Sequence, residues 1–594
     1  MNGNTTPATR IAIRRTALSV ALAAALAGPV QAATVHASGR IVAGNVYRVQ
    51  ERDPHLLTGV NAAEMGLVGY GSGGNADDAN SNYAKGDAAS RALRALLDLS
   101  ATSGDWSAFV RVKAWRDAGL AHDGRPWGNV PNGYVAGLPL SDSGAPRLTR
   151  FSGVALVDAW VQASAMLGEA PVLARLGQQS LRWGEQSLTP GGLESLNPRD
   201  MPGLHRAAPV VSETIVPRPM LFGRVEPISG LVFEGYVQAS FRPTALDQCG
   251  TLWSMSDYVV SGCDKVMSGN PQVSDRARQP IRAYKKRVAT PEPSSKEFGV
   301  GVTWEPGAPG TEVGLYHARY HARSALPGLR RTLRPNGPAL IAGDPDGRNM
   351  AYFTEYPEGL RISAITLSRK RGASTVYGEF SHRPGVPFML APGDVIPPFM
   401  SPTIASPLRA RADAVPPGGF FRGYDLYAML QVQAGVRREW VLGGLAMGGA
   451  MEVVGKHARG LPDPSVMRYG RADIFGVGAV NGGCLVTTGD AARQCSLRGY
   501  ATPNAWGYRL RLDARLPDLA PQLAGSASAL FVHDVKGWSG DLLLNEGRKS
   551  ANLTLRFEYR QRYLLELGYQ PSWGGDYNQA ADRDTASFAA GLRF

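Results

Sequence analysis

Cysteine is scarce here: four residues in 594, none near the N-terminus and none in C-x-x-C spacing. That leaves no zinc-ribbon ligand set and no lipoprotein anchor. Long apolar runs are missing too. After residue 32 the longest candidate is "WVLGGLAMGGAM", Trp440–Met451, which is Gly-rich and bounded by Glu439 and Glu452. It falls short of the ~18 apolar residues that a spanning helix needs, and the mean hydropathy is −0.17. A helical membrane protein is excluded. Acidic charge is the minority sign, 50 acidic against 63 basic residues. The arginines are scattered, however, with no basic helix or zinc motif, so nucleic acid is not the expected partner. Phosphates of lipopolysaccharide or anionic solutes suit such a balance better. G-x-S-x-G and H-E-x-x-H are absent as well.

What is present begins with a leader. Arg10, Arg14 and Arg15 precede an apolar run to about Ala27, and Val30-Gln31-Ala32 offers a small-residue cleavage site. Residues 1–32 read as a secretory signal peptide, too short in its apolar part for an anchor. "IRRTAL" fits twin-arginine export poorly. Beyond the leader, period-two alternation recurs along the chain. In "ANLTLRFEYR" the residues Ala551, Leu553, Leu555, Phe557 and Tyr559 share one face, with Asn552, Thr554, Arg556, Glu558 and Arg560 on the other. "WSAFVRVKAW" sets Arg111 and Lys113 against Ala108, Val110 and Val112; "LVFEGYVQASFR" sets Glu234, Gln238 and Arg242 against Leu231, Phe233 and Val237. "WGYRLRLDARL" sets Arg509, Arg511, Asp513 and Arg515 against Tyr508, Leu510 and Leu512.

A soluble sandwich alternates in the same way, so the connections decide. Short turns at 103–105, 168–171, 227–230, 306–310, 369–372, 517–521 and 560–562 alternate with long segments such as 119–150, 184–218, 244–296, 324–358, 384–422 and 457–504. Loops that long are uncommon in compact soluble domains. A short–long rhythm is what a membrane barrel shows. The expected fold is a single all-β domain over 33–594: an antiparallel outer-membrane β-barrel of about 18 strands, with 16 as the alternative, and with loop segments folded inward. The final "TASFAAGLRF" reads as a closing strand, and Phe594 as the aromatic signal for the barrel assembly machinery. Cys249/Cys263 and Cys484/Cys495 both fall in long loops and are expected as disulfides in an oxidising compartment.

The order of several motifs is then familiar. "ADDANSNYAKGD" (76–87), "DLSATSGDWSAFVRVKAWRD", "LGQQSLRWGEQ" (176–186), "LNPRDMPGL" (196–204), "SFRPTALDQCGTLWS" (240–254) and "LYHARYHAR" (315–323) resemble the proteobacterial domain-of-unknown-function family numbered 1302. The resemblance extends over essentially the whole mature chain. It implies a large outer-membrane barrel partnered by a periplasmic protein and a resistance-nodulation-division exporter in handling hydrophobic compounds. It implies no catalytic residues.

The candidate site is therefore a lumen. Arg111, Lys113, Glu234, Arg242, His317, Arg319, Arg509, Arg511, Arg515, Arg556, Glu558 and Arg560 are its expected lining, more basic than acidic. In "HARYHAR" the strand reading puts Tyr316, Ala318 and Tyr320 toward lipid. A metal on His317 and His321 would need a helix instead. Trp183–Pro219 mixes buried-type and charged residues; folded inward, its Trp183, Glu185, Asn197, Arg199 and Asp200 would constrict the pore. "RPGVPFMLAPGDVIPPFM" (383–400) is a second candidate, as an apolar lining or latch. "GYGSGGN" (69–75) lacks a phosphate-loop Lys, and "DDANSN" (77–82) lacks the Gly and Glu of an EF-hand, so both read as loops. No cofactor or metal is expected. The functional expectation is an outer-membrane channel or conduit for hydrophobic, amphipathic or anionic solutes, in contact with lipid and lipopolysaccharide. The rival is a plugged adaptor without conductance; a barrel hydrolase ranks behind both.

Overall fold

The computed structural model describes residues 33–184, 187–307, 310–484 and 490–594. The expected leader, 1–32, and Glu185 lie outside them. Eighteen antiparallel strands close into a barrel. In chain order they are β1 Thr34–Arg48, β2 Ala88–Ser103, β3 Trp106–Asp117, β4 Ser152–Leu167, β5 Ala170–Gln179, β6 Arg218–Ile228, β7 Leu231–Gln238, β8 Glu297–Trp304 and β9 Thr311–Tyr320. The second half comprises β10 Leu360–Arg371, β11 Ser374–Met389, β12 Tyr424–Leu442, β13 Leu445–Arg459, β14 Asn504–Ala520, β15 Leu523–Lys536, β16 Lys549–Tyr559, β17 Tyr563–Gln570 and β18 Thr585–Arg593. Each strand pairs with its sequence neighbours. The ring closes where β1 meets β18, from Arg40 opposite Arg593 to Arg48 opposite Thr585. Closure leaves no unpaired edge, which is the condition for crossing hydrocarbon.

The connections alternate as expected, with eight short turns at one end and nine longer segments at the other. One short turn is Gly443-Gly444, both at positive φ. It bisects the apolar run 440–451, so that run is a β-hairpin tip.

The outer surface explains the alternation. Leu510, Leu512, Leu553, Leu555, Leu565, Leu567 and Phe588 are exposed on the outside of adjacent strands. A contiguous apolar face of that size would be costly in water and matches a bilayer. Aromatic side chains mark its two borders. Trp106, Trp304, Tyr559 and Tyr563 sit beside short turns, while Tyr47, Trp506, Tyr569 and Trp573 sit toward the long loops, all exposed. Such girdles belong at the two lipid–water interfaces.

The long segments fold over one end as a cap with its own cores. "RPGVPFMLAPGDVIPPFM" supplies Phe388, Leu390, Val395 and Phe399 to a buried cluster with Leu329, Tyr352 and Tyr469. These apolar residues are packed in that cluster. Disulfides join Cys249 to Cys263 and Cys484 to Cys495 within the cap. Trp127 and Tyr134 pack on the first of them.

Candidate functional site

The segment between β5 and β6, residues 180–217, enters the barrel. Trp183 is buried with its ring 5.3 Å from Tyr236 and 5.2 Å from Tyr316, and its Nε1 donates to Glu234 at 2.9 Å. Room for the indole comes from β8. A Cβ on Gly299 would meet the Trp183 ring at 2.7 Å, so this close approach requires glycine. The segment then runs along β11–β13. Leu193 N donates to Glu379 at 3.0 Å, Gly192 N to Gln431 at 3.2 Å, and Ser187 Oγ to Glu452 at 2.8 Å. Farther on it reaches the opposite wall. Asp200 pairs with Lys113 of β3, and Glu213 takes Arg40 of β1 at 2.8 Å and Arg94 of β2 at 2.9 Å. Ala207 and Ala208 pack on Val42 and Val46. In an 18-membered ring β2 and β11 are half a circumference apart, so the segment crosses the lumen.

Its local order comes from doubling back. Asp200 N donates to Thr214 O at 2.7 Å and Val216 N to Pro198 O at 2.8 Å. Asp200 also accepts from Gly203 N at 3.0 Å, capping the short turn of helix that follows. Asn197 is buried and accepts from Arg218 at 3.4 Å; Arg199 pairs with Glu194. The expected constriction residues in the described set thus belong to one crossing element.

The wall residues divide. Arg111 pairs with Asp98 at 2.5 Å, Arg509 with Asp534 at 2.8 Å, Arg511 with Asp513 at 2.7 Å, Arg556 with Glu566 at 2.5 Å, and Glu558 with Arg593 at 2.9 Å. Arg515 shares the alternating face of Arg509 and Arg511. The arginine wall is therefore largely ion-paired, where the sequence showed only a face more basic than acidic. Asp534 and Glu566, its acidic partners, sit on other strands and are not visible as local neighbours.

Four positions are corrected. His317 and Arg319 of β9 point outward with Leu315, while Tyr316, Ala318 and Tyr320 are buried on the lumen side. The expected facing is inverted because the inward segment makes that stretch of lumen apolar. His317 meets Ser363 on the outer face at 2.9 Å. Arg242 lies beyond the end of β7, exposed in the long loop. Arg560 sits in the turn after β16 at positive φ, over the Tyr559 ring.

Under the segment, on the β3–β7 side, a cavity of about 380 Å³ is lined by Arg111, Asp158, Arg175, Arg182, Arg224 and Glu234, among others. Four guanidinium groups face two carboxylates there.

"DDANSN" is no surface turn. Residues 78–82 form a short buried helix, and the carboxylates of Asp77, Asp78 and Asp257 come within 4.8 Å of one another. That is the one described group with the spacing to hold a cation. Neutral donors occupy most of its oxygens: Thr58 and Asn61 on Asp77, Trp127 and Tyr134 on Asp78. Burial, then the neighbouring Asp275, push the Asp77 pKa up to about 7, and burial with like charge holds Asp78 and Asp257 well above the carboxylate range. The folded cap then binds more protons than the unfolded chain above pH ~4, so stability falls as pH rises through about 7. In chelator, the protection factors of the residue 77–82 amides, corrected for the intrinsic rise of exchange with pH, should fall between pH 5 and pH 8, and Asp77→Asn should flatten that dependence. Protection that stays constant or grows with rising pH would contradict this account.

No curated protein matches the chain. Among solved structures it is similar to OccAB1 of Acinetobacter baumannii (9% identity, TM-score 0.38, covering 94% of this chain and 96% of that one). It is also similar to OccD3 (OpdP) of Pseudomonas aeruginosa (9%, 0.38, 96% and 92%) and to the outer membrane channel DcaP of A. baumannii (9%, 0.34, 95% and 97%). These likenesses are weak, and no residue role is carried over from them. The family model described as "Protein of unknown function (DUF1302)" matches residues 13–594, and the chain belongs to that family.

Proposed function

We propose that this chain is a channel in the outer membrane of a Gram-negative cell, its bore set by the crossing segment, and that it favours small anionic or amphipathic solutes. The observation that carries the reading is the barrel's water-accessible cavity beside the segment, where Arg111 and Arg224 are held by Asp98, Glu226 and Glu234 while Arg175 and Arg182 ion-pair with none of the described carboxylates. Guanidinium groups stay charged at any physiological pH, and a wet basic wall draws anions. Work with a periplasmic partner and an exporter, and apolar cargo, are proposals that rest on the family resemblance. Export by the leader and insertion by the assembly machinery belong to the same reading.

A second reading is favoured by one observation. The segment bonds to opposite walls of the barrel, as the plug of a non-conducting adaptor would. Planar-bilayer recording of the purified full chain separates the two. Steady single-channel currents with a reversal potential displaced toward anions are expected. Silence across salts and voltages would overturn the channel and leave the adaptor.

A further inference from the structure

A cavity of about 590 Å³ lies in the cap, between residues 58–75, 267–285 and 396–400. Its rim is exposed at Tyr70, Gly269, Pro271 and Gln272, and its floor is buried. Its lining includes the apolar side chains of Val60, Met267, Ile396 and Met400. On the floor is Lys285, 1% exposed. The hairpin pairing Lys265–Met267 with Tyr284–Lys286 fixes it there, with Val266 opposite Lys285. Its ammonium donates to the Ser268 hydroxyl, which donates in turn to Val266 O at 3.2 Å, and it ion-pairs with none of the described carboxylates. Asp275, on the same cavity, is already held by Arg278 at 2.8 Å and by Asn61 at 3.0 Å.

A buried cation without a carboxylate in contact is costly. Burial first, then Arg278, pushes the Lys285 pKa down to about 7, against the pull of the Asp473 carboxylate, which is not in ion-pair contact with it. An incoming carboxylate would supply that contact and displace the bond from the Ser268 hydroxyl to Val266 O. Past Lys285 the space closes to about 30 Å³ between Tyr258, Val266, Leu329 and Leu390, too small for an alkyl tail. A ligand must therefore seat its head on the floor and keep its apolar body in the upper cavity, whose volume suits a compact molecule.

We propose that this cap cavity binds compact apolar monocarboxylates, of the size of a substituted benzoate, with the carboxylate on Lys285 and Ser268 and the ring against Val60, Met267, Ile396 and Met400. The inference goes beyond the channel reading, because the site lies in the cap and binding does not depend on conduction.

The test is ¹⁹F NMR titration of the full chain in nanodiscs with 4-fluorobenzoate and with neutral 4-fluorobenzamide, empty nanodiscs serving as the blank. The acid should bind at least about tenfold more tightly than the amide, the difference that a charge-assisted contact supplies. Lys285→Met should erase that preference. Met400→Trp, which keeps the lysine and fills the cavity, should weaken both probes. Equal binding of acid and amide by the wild-type chain overturns the proposal without recourse to any variant. So does absence of acid binding up to its solubility, or a folded Lys285→Met protein that keeps the preference. None of these results bears on whether the barrel conducts.

Discussion

Replacing residues 187–210 with a short Gly–Ser linker should raise single-channel conductance several-fold. A barrel of 16–18 strands leaves an aqueous channel unless something fills it, and here the filling is one element. The replacement removes the bonds to Glu379, Gln431 and Glu452 on one wall and to Lys113 on the other. Arg94 and Lys113 then lose buried partners, but water entering the widened lumen hydrates them, so the cost stays below that of an unpaired charge in a dry site. Glu213→Gln loosens only the β1–β2 end and should give an intermediate rise. Heat-modifiable gel mobility establishes that both variants are folded. Unchanged conductance in the folded replacement would show that the constriction lies elsewhere, with the cap as the next barrier. If the wild-type chain is silent and the replacement conducts, the adaptor reading gains.

Leu555→Arg should destabilise the inserted barrel by roughly 2–4 kcal/mol, the cost of a guanidinium near the bilayer midplane. Leu555 lies in the outward row with Leu553 and is 43% exposed outside bilayer lipid. Its neighbour Thr554 points inward, where its hydroxyl reaches Asn552 at 3.1 Å. Thr554→Arg meets lumen water and should cost less than about 1 kcal/mol. Urea titrations of refolding into liposomes compare the two directly. Equal losses would mean that the register of β16 or its surroundings had been misread.

Much of the barrel was legible in the sequence, because hydrocarbon outside and water inside impose period two on a chain such as Ala551–Arg560, and because its short turns are rich in Gly and Pro. The count of about eighteen followed from the rhythm of turns and loops. What period two cannot say is which face is wet. In β9 the rule that apolar means lipid reversed the facing, because Trp183, more than a hundred residues earlier, turns that patch of lumen into a core. The glycine that admits it, Gly299, carries no sign of its purpose in sequence. The ion pairs of Arg509 and Arg556 were hidden for a similar reason: their acids lie on other strands. Asp77 and Asp78 gave a partial signal in "DDANSN", but Asp257 joins them only through the fold, and Lys285 is one of ten lysines with nothing to single it out until the cavity above it is seen. That the segment after Trp183 enters the barrel was readable from its mixture of apolar and charged residues; its route to the far wall was not.

The crossing segment also has a mechanical meaning. A ring of strands is a thin hoop, easily squeezed from a circle into an ellipse. A strut fixed to β11–β13 at one end and β1–β3 at the other holds one diameter at constant length. Lateral pressure from the bilayer can then flex the hoop only along the perpendicular diameter, where β6–β7 face β15–β16. Any breathing of the pore is confined to two crescents on either side of the strut. The anchors on the β1–β3 side are ion pairs beside an apolar contact, and those on the β11–β13 side are carboxylates and an amide, so much of the strut's stiffness is electrostatic and should soften with ionic strength most where solvent reaches its ends.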